Sequence, residues 1–189
     1  MNTLKHTDID MLFDKYSNNM ASVLNYMRYK KDLHEYRQDG FKDYPMLPYI
    51  NDAIDITLLI KLNGFFDKKY GLPLKKFIVA IKGSQFDVNN AVGILENELN
   101  VFACENAVIN NAIVRLRNAR AHVDPTDSPS SITMDEVTVV VEWIRCFIDK
   151  LHRLCGKSTF GYKYTSDFPV VFADVLDVLK DESCKKCEE

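Results

Sequence analysis

Apolar residues recur every three or four positions along most of the chain, a spacing that predicts amphipathic helices rather than strands. Over residues 8–37 they fall at Ile9, Phe13, Tyr16, Met20, Val23, Leu24 and Met27, and Thr7 with Asp10 resembles a capping box at the start. A second helix is predicted over 48–69. Ile54, Leu58, Leu62 and Phe65 form its stripe, and Ile56, Leu59, Ile60 and Phe66 widen it, so more than one face needs cover. Gly71 and Pro73 end it, and Pro73 opens a short helix through Leu74, Phe77, Ile78 and Ile81. A long helix is predicted over 89–121 with the seam Val92, Leu95, Leu99, Phe102, Asn106, Ile109, Ile113 and Leu116.

A loop with two prolines, VDPTDSPSS, follows, and Thr133 with Glu136 makes a capping box for the next helix. Its β-branched run 137–141 also suits a strand. The wider pattern of Val137, Val140, Val141, Ile144, Phe147, Ile148, Leu151 and Leu154 keeps helical spacing. Beyond Gly156 and Gly161 a last helix is expected over 168–180, with Phe168, Phe172, Val175 and Leu179 inward. Residues 181–189 read as a flexible tail. No repeat or Gly/Ser linker divides the chain, so 1–189 reads as one all-α domain: an antiparallel four-helix-bundle-like unit with additional short helices.

Composition sharpens this only by exclusion. The 189 residues suffice for a core without metal or disulfide staples. Seven glycines and six prolines are too few for the corners of a many-stranded sandwich or barrel. The net charge of 24 − 27 = −3 excludes a strongly basic nucleic-acid coat protein, though not a local basic site. The beginning, MNTLKHTDID, has no apolar stretch after its lysine, and the longest apolar runs are about five residues, far short of a membrane span. The five cysteines are an odd number. Together these lead us to expect reduced thiols, a cytoplasmic setting and no membrane.

Chemistry concentrates in one stretch, where Arg115, Arg117, Asn118, Arg120 and His122 lie within eight residues. They fall where a long helix meets a proline-broken loop. Arginine forks recognise phosphate bidentately, and histidine shuttles protons near neutral pH. Together they suit phosphodiester cleavage without metal: the histidine moves the proton and arginine offsets charge on the phosphorane. The plain alternative is a helix C-terminus carrying solvated cations and a histidine near the dipole.

Residues 117–122, RNARAH, resemble the R-polar-x-x-x-H motif of the HEPN domains (higher eukaryotes and prokaryotes nucleotide-binding). ITLLIKLNGFFD at 56–67, with the short helix of 73–81 after it, is similar to the corresponding helices of the AbiU-type HEPN group, and RNARAHVD at 117–124 to that group's helix end. The resemblance covers most of the chain. It implies an all-α homodimer that cleaves RNA without metal or cofactor in a toxin–antitoxin or abortive-infection setting, with an antitoxin or neighbouring-gene protein as a further partner. It implies that Arg117 binds phosphate and stabilises the transition state, that Asn118 orients the phosphate or the histidine, and that His122 performs acid–base work. The expected products carry a 2′,3′-cyclic phosphate and a 5′-hydroxyl. Arg115 and Arg120 lie outside the motif and enter on charge alone, as contacts to the RNA backbone. An inactive HEPN dimer that binds RNA, nucleotide or protein is the alternative. In toxins silenced by modification of a tyrosine two residues after the histidine, that tyrosine is needed; here the position is Asp124, which argues against such control.

Helix geometry complicates the motif. At about 100° per residue, Arg117 and His122 stand about 140° apart, whereas Arg115, Asn118 and His122 share one stripe. The helix must unwind before His122, the long Arg117 side chain must curl round, or a second subunit must supply one partner.

Other features carry less. Asn106, polar on an apolar seam, either sets register or a dimer contact, or satisfies a buried backbone group. Cys104, Cys146 and Cys155 read as packing residues, His152 as a surface residue, and Cys184 with Cys187 as free thiols. The basic run of Arg28, Lys30, Lys31 and Arg37 reads as a solvated face or an RNA track. Trp143, Tyr162 and Tyr164 offer stacking surfaces, Trp143 close to a core stripe.

Overall fold

The computed structural model describes residues 6–38, 46–67, 73–82, 84–122 and 132–157. The loop over 123–131, the expected helix over 168–180, Tyr162, Tyr164, Cys184 and Cys187 lie outside them. The described residues are all-α and bundle-like. Their order is α1 His6–Gln38, α2 Leu47–Asn63, α3 Leu74–Ile81, α4 Ala91–Glu105, α5 Ala107–His122 and α6 Met134–Leu154, with a short 3₁₀ turn, Val88–Asn90, before α4. Among the described residues there is no strand. The run 137–141 is helical, and its valines at 137, 140 and 141 are buried. None of these helices is long and apolar enough to cross a membrane.

The apolar stripes close on one core. Ile9, Phe13, Tyr16, Met20 and Val23 of α1 meet Leu58, Leu59 and Leu62 of α2, Phe77 and Ile81 of α3, and the α6 row from Val137 to Leu151. The Tyr16 hydroxyl donates to the Pro73 carbonyl (2.8 Å), fixing the entry to α3, and burial pushes its phenol well above the ordinary range. Phe102 of α4 stacks on Trp143 of α6 with ring centres 3.7 Å apart, and Trp143 stacks in turn on Phe147. Trp143 is therefore a packing residue rather than a platform for bases. Lys150 on α6 pairs with Glu98 on α4, adding a charged tie at the same contact.

Two helices differ from the sequence expectation. The second ends at Asn63 rather than near 69. Gly64 caps it, and a tight turn with Phe65 N–H on the Leu62 carbonyl and Phe66 N–H on the Asn63 carbonyl drops Phe65 into the core. The Asn19 amide also donates to the Lys61 carbonyl, satisfying one of the carbonyls that a helix end leaves open.

The long helix over 89–121 is two helices broken at Asn106, whose φ of −104° and ψ of 21° leave the helical region. Its side-chain amide donates to the Phe102 carbonyl (3.0 Å), the bond by which asparagine competes with the regular ladder. Of the two readings of this polar seam residue, the structure supports satisfaction of a backbone carbonyl. Val92, Leu95, Leu99 and Phe102 before the break, and Ile113 and Leu116 after it, all remain in the core.

At the start of α6 the Thr133 hydroxyl accepts from the Glu136 N–H, and Glu136 accepts from the Thr133 N–H (2.8 Å), the reciprocal capping box. That backbone bond lowers the Glu136 carboxyl below its ordinary range. Thr133→Ala is expected to cost about 1 kcal/mol, read as a shift in urea midpoint at unchanged slope. An unchanged midpoint would remove the cap from the account.

Candidate functional site

The five candidate residues all belong to α5. The backbone of this helix is described through His122 and its side chains through Leu116. Arg115 is exposed, and Leu116 beside it is buried, so α5 presents one flank to the core and the other to solvent. Helical register places positions 111, 115, 118 and 122 within a sector of about 60° on that outer flank. Position 117 is about 140° from 122. Since α5 remains helical to His122, unwinding before that residue does not reconcile the two.

α5 packs against α2. Between them lies a cleft of about 360 Å³ lined by Asn63, Phe66, Asp67, Asn110, Asn111, Ile113 and Val114. Asn63 is buried; its amide donates to the Asp67 carboxylate (3.2 Å), and its carbonyl accepts from the Asp67 N–H (2.8 Å). Phe66 is held by stacking on Phe102. Sequence reading missed this cleft because Asn63 and Asp67 lie where a continuous helix was expected.

No family model matches the chain, and no curated protein or solved structure matches it. The functional reading rests on the residues themselves.

Other candidate features resolve structurally. The basic run on α1 is tied into ion pairs: Lys30 bonds Asp55 and Asn51 of α2 (2.7 and 2.6 Å), Lys31 lies 3.7 Å from Glu35, and Arg28 lies 4.0 Å from Asp32. These pairs oppose the idea of an RNA track there. The Arg37 side chain lies outside the described residues. His152, expected at the surface, is 7% exposed and meets the Phe13 ring edge to face at 4.3 Å. It follows Leu151 in a helix whose apolar stripe is wide enough to take both inward. Cys104 and Cys146, expected to pack, are exposed. Cys155 is buried, and burial pushes its thiol up to about 11, so it is a packing residue rather than a nucleophile. Among the described residues no cluster of three or more His, Cys, Asp or Glu side chains could hold a metal ion.

Proposed function

We propose that this protein is a HEPN-type, metal-independent endoribonuclease of a toxin–antitoxin or abortive-infection system, active as a homodimer in the cytoplasm. The observation that carries the reading is the arginine–asparagine–histidine cluster 115–122 at the end of α5, with Arg115 exposed. His122 moves the proton between the ribose 2′-hydroxyl and the leaving 5′-oxygen, and Arg117 offsets charge on the phosphorane. Asn118 orients the phosphate, while Arg115 and Arg120 hold the RNA backbone. Purified protein is expected to cleave single-stranded RNA in excess EDTA. Intact RNA under those conditions contradicts the proposal and leaves the alternative, an inactive HEPN dimer that binds RNA or protein.

A homodimer is supported by uncovered apolar residues on α4 and on α5. Ile94, Val101 and Val108 recur every seven residues along α4 and α5 and are 63%, 44% and 82% exposed. The same seven-residue step continues to Arg115 and His122. A two-fold contact along the 108, 115 and 122 face would bring Arg115 and His122 of the two copies together, whereas Arg117, about 140° from 122, lies off that face. Sedimentation at tens of micromolar is expected to give a mass of about twice the 21.8 kDa chain. A species of one chain mass contradicts the dimer. Val108→Asp should shift the mass toward the monomer.

A further inference from the structure

Positive charge gathers on one short helix of this acidic chain. Residues 68–82 hold five lysines and no acidic residue, against a net charge of 24 − 27 = −3 for the whole protein. α3 forms the end of that run. It sinks Leu74, Phe77, Ile78 and Ile81 into the core. Lys75, Lys76, Val79 and Lys82 face solvent on the opposite side, and helical register groups them within about 120°. Lys82 is bonded to Glu96 of α4 (2.7 Å). That bond lowers the Glu96 carboxyl below its ordinary range, and the charge of Lys75 adds to the effect. Among the described residues neither Lys75 nor Lys76 forms an ion pair or a side-chain hydrogen bond. Lys30 and Lys31 of α1 differ, since each has a carboxylate within ion-pair distance.

The chemistry of this face selects its partner. A membrane suits it poorly, because the apolar side of α3 is already in the core and eight residues leave nothing to insert. A protein partner needs desolvated anchors, and lysine is depleted from protein interfaces. Among the four outward residues only Val79, 60% exposed, is apolar. A polyanion needs no such anchor. An ammonium on a flexible stem follows a phosphate chain as a point charge, and phosphate contacts supply most nonspecific affinity for nucleic acid.

The face is also fixed to the part of the fold that borders the motif helix. The Leu74 N–H donates to the Phe65 carbonyl (2.8 Å). Phe66, next in sequence, lines the cleft with Ile113 and Val114, and exposed Arg115 follows these on α5. We propose that the Lys75–Lys76 face of α3 is a docking surface for the phosphate backbone of single-stranded RNA, separate from the cluster at 115–122. A role toward substrate rests on the ribonuclease reading; the affinity for RNA does not.

The test uses the full-length protein and a single-stranded 2′-O-methyl RNA, which lacks the attacking hydroxyl and stays intact. Fluorescence anisotropy over a salt series reads its affinity. Each phosphate contact on a single strand contributes about 0.7 to the slope of log affinity against log salt. Lys75→Ala combined with Lys76→Ala should therefore weaken binding and lower that slope by about 1.4. Lys75→Arg combined with Lys76→Arg keeps both charges and should keep the slope. Lys31→Ala removes an exposed cation on α1 and should leave the slope unchanged. An unchanged slope in the double alanine variant, an equal fall in Lys31→Ala, or no binding by the wild type overturns the surface. Polyglutamate that competes as well as the RNA at equal charge overturns the choice of RNA in favour of an acidic protein. Cleavage of ordinary RNA in EDTA with no effect of the double alanine variant on binding would overturn the surface and leave the ribonuclease intact. Binding that depends on the two lysines, without cleavage, would support the surface and overturn the ribonuclease.

Discussion

Replacing His122 by alanine is expected to slow RNA cleavage by about 10²–10⁴, the usual contribution of a positioned general acid–base. The position favours this role. His122 is the last residue of α5, at the end of a helix where the dipole is negative. In the proposed mechanism the neutral ring would draw the proton from the 2′-hydroxyl and then return it to the leaving 5′-oxygen. Single-turnover cleavage beside far-ultraviolet circular dichroism checks the prediction. A His122→Ala protein that is folded and cuts at the wild-type rate removes His122 from the mechanism.

Arg117→Ala is expected to lower the chemical step by about 10²–10³ while leaving RNA affinity nearly unchanged, as loss of one transition-state donor does. Arg115→Ala and Arg120→Ala should instead weaken binding and reduce the salt dependence of affinity, the mark of lost phosphate contacts. The uninterrupted α5 makes this comparison sharp. In one protomer Arg115 shares a flank with His122 and Arg117 does not, so a site confined to one chain would favour Arg115. A site shared across a two-fold axis on the 117 side of α5 would free Arg117 from that restriction. Mixing Arg117→Ala with His122→Ala protein separates the two. A shared site is intact once in each mixed dimer, so random mixing restores about a quarter of wild-type activity. No recovery from a mixture that forms mixed dimers would place both residues' work within one protomer. Loss of the chemical step in Arg115→Ala with an unaffected Arg117→Ala would transfer the phosphate role to Arg115.

The helices were legible because their burial requirement is periodic. The α6 stripe from Val137 to Leu151 and the Thr133–Glu136 cap appear in the structure as spacing predicts, since local pattern and tertiary burial agree there. The break at Asn106 was less legible, because the apolar seam remains in phase on both sides. Only the competition of one amide for the Phe102 carbonyl reveals it. The early end of α2 was hidden for a related reason: Phe65 is buried, but through a turn rather than a helical stripe. His152 and Cys104 show the limit of reading faces from single positions. The wide α6 stripe takes a histidine inward beside Phe13, whereas Cys104 falls on the outer flank of α4.

The candidate site was legible in part. Its residue types and crowding single it out in the sequence, but the cleft beside it depends on Asn63, Asp67 and Asn110, which are distant in sequence and unremarkable singly. Only the packing of α2 against α5 brings them together.

The central claim, metal-independent transesterification of RNA, is tested most directly by the ends of the fragments. End-group analysis of single-stranded RNA incubated with the purified full-length protein in excess EDTA should find a 2′,3′-cyclic phosphate on one fragment and a 5′-hydroxyl on the other. Intact RNA, or fragments carrying 5′-phosphate ends, would contradict it.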